Sequence, residues 1–202
     1  MTGPVSSETT GTKRPADPAN PAGRIRRVVS RYPSGLSGRA AVFLDRDGVL
    51  NRDLNYVHAP DRFEPVPGAA EAIAWLNAQG RKVIFVTNQA GIARGYYTED
   101  QLGSFTRWIE DWLHDRGARI EATYYCPHHP TAGLGNYLLT CGCRKPEPGM
   151  IRAGLADFDL DPAQCFLVGD QKTDIGAAEA AGIPGHLFDG SNLESFVKRL
   201  LA

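Results

Sequence analysis

Two aspartates lie two residues apart directly after a short apolar run, in the segment Asp45-Arg46-Asp47-Gly48-Val49. Neighbouring carboxylates repel each other, so this pair calls for a cation, and a hard divalent ion such as Mg²⁺ with oxygen ligands suits it best. A second acidic segment, Gly169-Asp170-Gln171-Lys172-Thr173-Asp174, follows another apolar run. Asp174 could be only the N-cap of a following helix, which leaves Asp170 as the further candidate ligand.

Two more polar segments could interact with a phosphoryl group. Thr87, Asn88 and Gln89 end a third apolar run and offer a hydroxyl and two amides that can donate hydrogen bonds to phosphoryl oxygens. Arg144 and Lys145 supply cations that could balance the charge of a transferring phosphoryl group. Each of these segments taken alone also fits an ordinary turn or a solvated loop.

A cysteine- and histidine-rich loop precedes Arg144. Cys126 and His128 are separated from Cys141 and Cys143 by twelve residues. One imidazole and three thiolates form a soft, tetrahedral set that is typical of structural Zn²⁺. Four protein ligands leave no open position for catalysis, so the metal is expected to hold the loop in place, although His129 competes with His128 as the imidazole ligand.

Apolar runs alternate with helical patterns around these residues, which predicts an α/β fold with an open, mostly parallel, Rossmann-like sheet. In such a sheet the ligand site lies beyond the carboxyl ends of the strands, where all of these polar segments fall. The sequence predicts no large cap domain between the motifs. Strands are predicted at residues 41–44, 82–86, 122–125, 165–168 and 186–188, and helices at 69–78, 98–116, 148–158 and 174–181.

Composition sets the broader class. The chain has 202 residues, of which 42% are hydrophobic, and its formal net charge is −1. A balanced charge gives no field that would attract nucleic acid or an anionic membrane, so the expected partner is a small molecule. With no long apolar run and no signal-peptide pattern, the sequence predicts a cytoplasmic protein, with a monomer as the default.

The first 38 residues are rich in Pro, Gly, Ser and Thr and lack apolar periodicity. The sequence therefore predicts a disordered tail at residues 1–38 and one folded domain at residues 39–202. The tail's arginines are expected to be solvated rather than bound to phosphate or to an acidic partner; they are Arg24, Arg26, Arg27 and Arg31.

The ordered series of DRDGV after one strand, TN after a second, a lysine, and GDQKTD after a third resembles the haloacid dehalogenase superfamily of aspartate-nucleophile phosphatases. The resemblance covers about residues 41–189. It implies that Asp45 attacks phosphorus and that Asp47 acts as general acid and base. It further implies that Thr87 and Lys145 stabilise the phosphoryl oxygens. Mg²⁺ would be held by the carboxylates of Asp45 and Asp170 and by the backbone carbonyl of Asp47.

Together with the metal loop, these motifs are similar to those of the D-glycero-D-manno-heptose 1,7-bisphosphate phosphatases and the histidinol-phosphate phosphatases. The long spacer between the two ligand pairs favours the heptose family, and the family's Cys-x-His spacing favours His128 as the zinc ligand. The resemblance implies removal of the 7-phosphate from a phosphorylated sugar in nucleotide-activated heptose biosynthesis. It implies that Arg144 recognises the second phosphate and that further substrate contacts come from Arg46, Asp53, Tyr56, Asn88 and Gln89.

Gln171 departs from this pattern, because the heptose enzymes commonly have a lysine directly after the motif aspartate. The departure leaves metal binding by Asp170 unaffected. Three alternatives stay open: a histidinol-phosphate phosphatase, a polynucleotide 3'-phosphatase of the same fold, and a non-catalytic, zinc-stabilised binding module.

Overall fold

The computed structural model describes residues 25–202. Its strands are β1 (Arg26–Val29), β2 (Ala41–Leu44), β3 (Lys82–Asn88), β4 (Ala122–Cys126), β5 (Cys165–Gly169) and β6 (Gly185–Leu187). Its α-helices are α1 (Ala69–Ala78), α2 (Ala90–Ala93), α3 (Glu99–His114), α4 (Gly149–Asp157), α5 (Lys172–Ala181) and α6 (Leu193–Leu200). Short 3-10 helices cover Pro60–Arg62, Gly135–Tyr137 and Pro162–Gln164.

The strands form one sheet in the order β1-β4-β3-β2-β5-β6. All neighbouring pairs are parallel except β1 and β4, which are antiparallel. The central strand β2 lies between β3 and β5, so the chain segments that leave these three strands emerge side by side. This is the edge of a parallel sheet at which a ligand site is expected.

Helices cover both faces of the sheet, which explains why the central strands are apolar throughout. Along β2, Val42 and Leu44 pack into one core with α1, α3 and α6, whereas Ala41 and Phe43 pack into the other core with α4 and α5. Successive side chains of a strand point to opposite faces, so every residue of β2 is buried. The predicted α/β fold with a mostly parallel sheet is confirmed.

The predicted elements are found with small changes at their ends. Strand β2 and helix α1 coincide with their predicted bounds, and β3 extends two residues further, to Asn88. The capping box of α3 is present, with Thr98 and Gln101 each bonding the other's backbone. Two helices were missed: α2 is too short to carry a periodic pattern, whereas α6 has a readable N-cap in Asn192.

The predicted disordered tail is wrong where it can be compared with the structure. Residues 1–24, including Arg24, lie outside the described residues, but β1 pairs with the edge of β4. The described arginines of this segment form ion pairs while staying partly exposed: Arg26 with Glu99 at 2.7 Å, Arg27 with Asp157, and Arg31 with Asp111 at 2.7 Å. These partners are distant in the chain, so local composition gave no sign of them.

Within residues 25–202, the structure contains no helix that combines the length and the apolar character needed to cross a bilayer.

Candidate active site

A cavity of about 290 Å³ opens at the carboxyl ends of β2, β3 and β5. It brings together side chains that the sequence places more than a hundred residues apart. The predicted site residues that line it are Asp45, Asp47, Asp53, Tyr56, Thr87, Asn88, Gln89, Arg144, Lys145 and Asp170.

Lys145 lies between two buried carboxylates. Its ammonium nitrogen is 2.9 Å from Asp45 Oδ1 and 2.7 Å from Asp174 Oδ1, and it donates a hydrogen bond to the carbonyl oxygen of Val86. Burial alone would lower the pKa of Lys145, but the two carboxylates outweigh burial and raise it. Lys145 therefore keeps its positive charge inside the protein, beside the carboxylate predicted to attack phosphorus.

Asp174 was missed as a site residue by the sequence reasoning, which left it as an N-cap. It is the third residue of α5, and its Oδ2 accepts a hydrogen bond from the backbone N–H of Gln171. Its other oxygen holds Lys145, so both oxygens of this buried carboxylate are engaged. Asp174 thus orients the lysine, a role that depends on a contact between distant parts of the chain.

The surroundings of Asp45 disfavour the ionised form of its carboxyl group. Its pKa is raised to about 7, mainly by burial and further by the nearby carboxylates of Asp174 and Asp47, while Lys145 opposes the rise. Protein groups alone therefore disfavour the ionised form of Asp45. A bound divalent cation would favour the carboxylate form that attack on phosphorus requires.

The geometry around Asp45 fits such a cation. Carboxylate oxygens of Asp45, Asp170 and Asp174 lie within 4.8 Å of one another. Asp170 Oδ1 is buried and has no hydrogen-bond partner among residues 25–202. At Gly48, whose φ is +94°, a Cβ atom would lie 2.3 Å from Asp170 Cγ, so any side chain here would fill the space beside this carboxylate. Hard oxygen donors in a confined space are what Mg²⁺ requires.

Three side chains donate hydrogen bonds to the carboxylate of Asp47. Arg46 donates to Asp47 Oδ2 from Nη2 at 2.7 Å, and Asn51 donates to Asp47 Oδ1 from Nδ2 at 3.0 Å. The Arg46 side chain is only 2% exposed, does not line the cavity, and also donates to the carbonyl oxygen of Val57. Arg46 was predicted to contact substrate, but because it points into the protein it supports Asp47 instead.

The side chain of Asn88 forms hydrogen bonds with the protein backbone. Its side-chain amide donates to the backbone carbonyl of Lys145 and accepts from the backbone N–H of Lys145, both at 3.1 Å. The end of β3 is thereby tied to the segment that carries the buried lysine. The predicted contact between Asn88 and substrate stays a prediction.

The loop that carries Asp53 and Tyr56 forms one wall of the cavity. Asn55 and Tyr56 have φ values of 60° and 58°, in the left-handed region that non-glycine residues rarely adopt. The loop is held by a hydrogen bond from the Asn55 N–H to Asp53 Oδ1 and by Arg62, which donates to the carbonyl oxygen of Leu54. Strained backbone that is fixed by its surroundings is typical of ligand-binding loops.

The cysteine- and histidine-rich loop folds into a compact cluster. The Sγ atoms of Cys126, Cys141 and Cys143 are 3.1–3.5 Å apart, and His128 Nδ1 is 3.5 Å from Cys143 Sγ. In a tetrahedral zinc site with Zn–S bonds of about 2.3 Å, neighbouring sulfur atoms lie about 3.8 Å apart. The cluster is slightly more compact than this, and its donor atoms are compatible with zinc. Hydrogen bonds within the cluster lower the pKa of Cys141 and raise that of Cys126, because three adjacent thiols cannot all ionise without a cation.

His129 does not join this cluster. It lines the catalytic cavity, and its Nδ1 accepts hydrogen bonds from the backbone N–H groups of Thr131 and Ala132. Of the two histidines that the sequence left in competition, His128 is the one that faces the cysteines.

Comparison with known proteins gives consistent results. A family model described as "Haloacid dehalogenase-like hydrolase" matches residues 42–103, and one described as "HAD-hydrolase-like" matches residues 142–191. The D-glycero-beta-D-manno-heptose-1,7-bisphosphate 7-phosphatase of Rhodopseudomonas palustris is 45% identical over 163 residues, covering 81% of this chain and 91% of the relative. The enzyme of the same name from Pasteurella multocida is 47% identical over 145 residues, covering 72% and 78%.

Among solved structures, the fold is similar to that of D,D-heptose 1,7-bisphosphate phosphatase from B. bronchiseptica complexed with magnesium and phosphate. The TM-score is 0.69 at 32% sequence identity, and the match covers 80% of this chain and 98% of the other.

Proposed function

Because this chain belongs to the heptose-bisphosphate phosphatases among the haloacid dehalogenase-like hydrolases, we propose that it removes the 7-phosphate from D-glycero-β-D-manno-heptose 1,7-bisphosphate. The observation that carries this proposal is Asp45, a buried carboxylate at the base of a polar cavity, paired with Lys145 and flanked by Asp47 and Asp170. Relatives named for the β anomer support that stereochemistry, and the product would enter nucleotide-activated heptose biosynthesis.

The first half of the reaction transfers the phosphoryl group to the protein. A carboxylate oxygen of Asp45 attacks phosphorus in line with the C7 ester oxygen, forming an aspartyl-phosphate as the bond from phosphorus to the ester oxygen breaks. Asp47 gives its proton to the departing oxygen, so the sugar leaves as a neutral alcohol. Lys145 balances negative charge on the phosphoryl oxygens, and the hydroxyl of Thr87 stabilises them as a hydrogen-bond donor.

In the second half, water attacks the phosphorus of the aspartyl-phosphate. Asp47, now a carboxylate, takes a proton from this water as the bond between phosphorus and the Asp45 oxygen breaks. Inorganic phosphate leaves, and both aspartates return to their starting forms. Arg46 and Asn51 hold Asp47 during both halves of the reaction.

We assign the Mg²⁺ site to the carboxylates of Asp45 and Asp170 together with the backbone carbonyl of Asp47. When bound, the ion supplies positive charge that favours ionised Asp45 and attracts the phosphoryl oxygens. The unpartnered oxygen of Asp170 and the space left by Gly48 support this assignment. Asp174 is left out because Lys145 and the backbone of Gln171 engage both of its oxygens.

The substrate's second phosphate requires a separate cationic group. Arg144 lines the cavity, and its side chain donates to the backbone carbonyl of His128. A guanidinium fork matches the geometry of phosphate oxygens, so Arg144 is the proposed anchor for the 1-phosphate. Asp53, Tyr56, Asn88 and Gln89 would contact or surround the sugar, as the resemblance implies.

A structural zinc ion held by the cysteines and His128 would fix the loop that leads to Lys145. Cys143→Ser removes one thiolate, so we expect zinc to fall from about one per chain to near zero and the melting temperature to drop. Metal analysis of the purified protein and thermal unfolding measure the two effects.

The matched control for this prediction is Cys165→Ser, which alters a buried cysteine on β5 outside the metal cluster. This variant should keep its zinc. Stoichiometric zinc with an unchanged melting temperature in Cys143→Ser would contradict the proposed structural site.

Two other parts of the proposal concern the protein as a whole. Residues 39–202 would form the phosphatase domain, with β1 adding an edge strand from outside these bounds. A cytoplasmic monomer that acts on a small phosphorylated sugar, without nucleic acid or membrane as a partner, is the simplest arrangement.

The proposed reaction is tested by following both phosphates of the substrate by ³¹P NMR in the presence of Mg²⁺. The 7-phosphate signal should disappear while the 1-phosphate signal remains. Loss of the 1-phosphate instead, or hydrolysis of histidinol phosphate in preference to the sugar, would contradict the proposal.

A further inference from the structure

Tyr97 is a buried residue for which the proposed reaction has no role. Its side chain lies at the wall of the catalytic cavity and is 4% exposed. The hydroxyl donates a hydrogen bond of 2.6 Å to Gln89 Oε1. Burial raises the pKa of Tyr97, so the phenol keeps its proton and remains a donor.

The chain itself fixes the orientation of the Gln89 amide. Gln89 Oε1 also accepts from Arg46 Nη2 at 3.2 Å, and a guanidinium group can only donate. Gln89 Nε2 must therefore point the other way, where it donates to Asp47 Oδ2 at 3.1 Å and to Thr87 Oγ1 at 2.8 Å. A flipped amide would set donor against donor at Arg46 and acceptor against acceptor at Asp47.

Gln89 thus connects Tyr97 to the proposed acid and base. Asp47 Oδ2 receives hydrogen bonds from both Gln89 and Arg46, and Asp47 Oδ1 receives them from Asn51 and from Arg46 Nε. A proton can pass to the leaving oxygen only while the carboxyl group stays within hydrogen-bond reach of it. Small displacements of such a group lower the rate, because the productive geometry is narrow.

The ring of Tyr97 is itself held by close packing. His58 stacks on it, with ring centroids 4.5 Å apart and planes 11° from parallel. A Cβ atom at Gly91 would lie 2.1 Å from Tyr97 Cε1, so only glycine leaves room for the ring at this position. The position of the hydroxyl is therefore set by packing and not by the hydrogen bond alone.

We propose that Tyr97 is a positioning residue, which through the Gln89 amide keeps Asp47 in the conformation from which it protonates the leaving oxygen. The inference rests on the proposed function, because it concerns the departure of an alcohol from a phosphate ester. It assigns to Tyr97 no contact with the reacting atoms.

The test compares two leaving groups. A sugar alkoxide needs a proton from Asp47 in order to leave, whereas p-nitrophenolate leaves without one. The ratio kcat/KM includes only the steps up to departure of the leaving group, so it excludes the later hydrolysis of the aspartyl-phosphate.

Tyr97→Phe removes only the hydroxyl and should lower kcat/KM about tenfold for heptose 1,7-bisphosphate, part of the roughly 10²–10⁴-fold rate increase that general acid catalysis contributes. With p-nitrophenyl phosphate the change should stay within about twofold, and KM for the sugar should barely move.

A second variant tests the packing. Gly91→Ala displaces the ring and should reproduce the selective loss, whereas Gly103→Ala, which has open space around it in α3, is the matched control and should not. Equal losses with both substrates in Tyr97→Phe, or no loss with the sugar, would overturn the inference.

The activity of the wild-type protein distinguishes failure of the role proposed for Tyr97 from failure of the proposed function. If it hydrolyses heptose 1,7-bisphosphate but Tyr97→Phe shows no selective loss, the proposed function stands and the role of Tyr97 is wrong. If it hydrolyses another alkyl phosphate instead, the same comparison is made with that substrate. If it hydrolyses no alkyl phosphate, both proposals fall together.

Discussion

Replacing Asp45 by asparagine should lower phosphate release by a factor on the order of 10⁴ or more, because removal of a covalent nucleophile leaves only binding and charge stabilisation. The amide cannot form the aspartyl-phosphate, yet it is nearly the same size as the carboxyl group. Lys145 keeps its ion pair with Asp174, so the substitution should preserve the packing of the site. Phosphate release from heptose 1,7-bisphosphate with Mg²⁺ measures the effect.

An informative control is Asp100→Asn, which makes the same chemical change on the exposed first turn of α3. It should leave the rate unchanged. Residual activity of Asp45→Asn within about tenfold of the wild type would mean that another group attacks phosphorus, and the proposed mechanism would be wrong.

Lys145→Met should lower both activity and stability. Removing one partner of a buried ion pair typically costs about 3–5 kcal/mol of unfolding free energy, because the remaining charge is left without compensation. Here two carboxylates, those of Asp45 and Asp174, would face each other. Since Lys145 opposes the rise in the pKa of Asp45, its loss should raise that pKa further and favour the protonated form, which cannot attack phosphorus.

Urea unfolding and phosphate release measure the two consequences of Lys145→Met, with an expected rate loss on the order of 10²–10³ for removal of a group that stabilises transition-state charge. Lys172→Met serves as the matched control, because Lys172 is exposed at the start of α5. Should Lys145→Met lose less than about 1 kcal/mol and keep its activity, the buried ammonium would not be the central charge of the site.

Local patterns were sufficient to predict most of the sheet and the metal loop. Strand β2 is a run of four apolar residues that ends at Asp45, and helices on both faces of a parallel sheet make such a run the expected pattern. The spacing of Cys126, His128, Cys141 and Cys143 likewise predicted a cluster that the fold brings together. In each case the signal lies within one continuous segment of the chain.

Contacts between distant segments could not be predicted in this way. Arg46 follows the nucleophile directly, which suggested a substrate contact, but its burial depends on Val57 and Gln89, which other segments supply. Asp174 looked only like an N-cap because its contact with Lys145 joins α5 to a distant segment of the chain. Strand β1 escaped notice for the same reason, since its partner β4 lies almost a hundred residues further along the chain.

One helix that was missed has a clear signal in the sequence. Asn192 followed by an amphipathic segment is a recognisable start for α6, and its Oδ1 accepts from the backbone N–H of Ser195. Tyr97 had no such signal, since a tyrosine in a loop is compatible with many roles. Only the distances to Gln89 and the fit against Gly91 indicate what it does.

The most direct test of the proposed function is the ratio of kcat/KM values of the wild-type protein, with Mg²⁺, for the β anomer of heptose 1,7-bisphosphate, the α anomer and histidinol phosphate. We expect the β anomer to be preferred over both others, by at least about tenfold. A preference for histidinol phosphate, or no hydrolysis of either sugar anomer, would contradict the assignment of this chain as a heptose bisphosphate phosphatase.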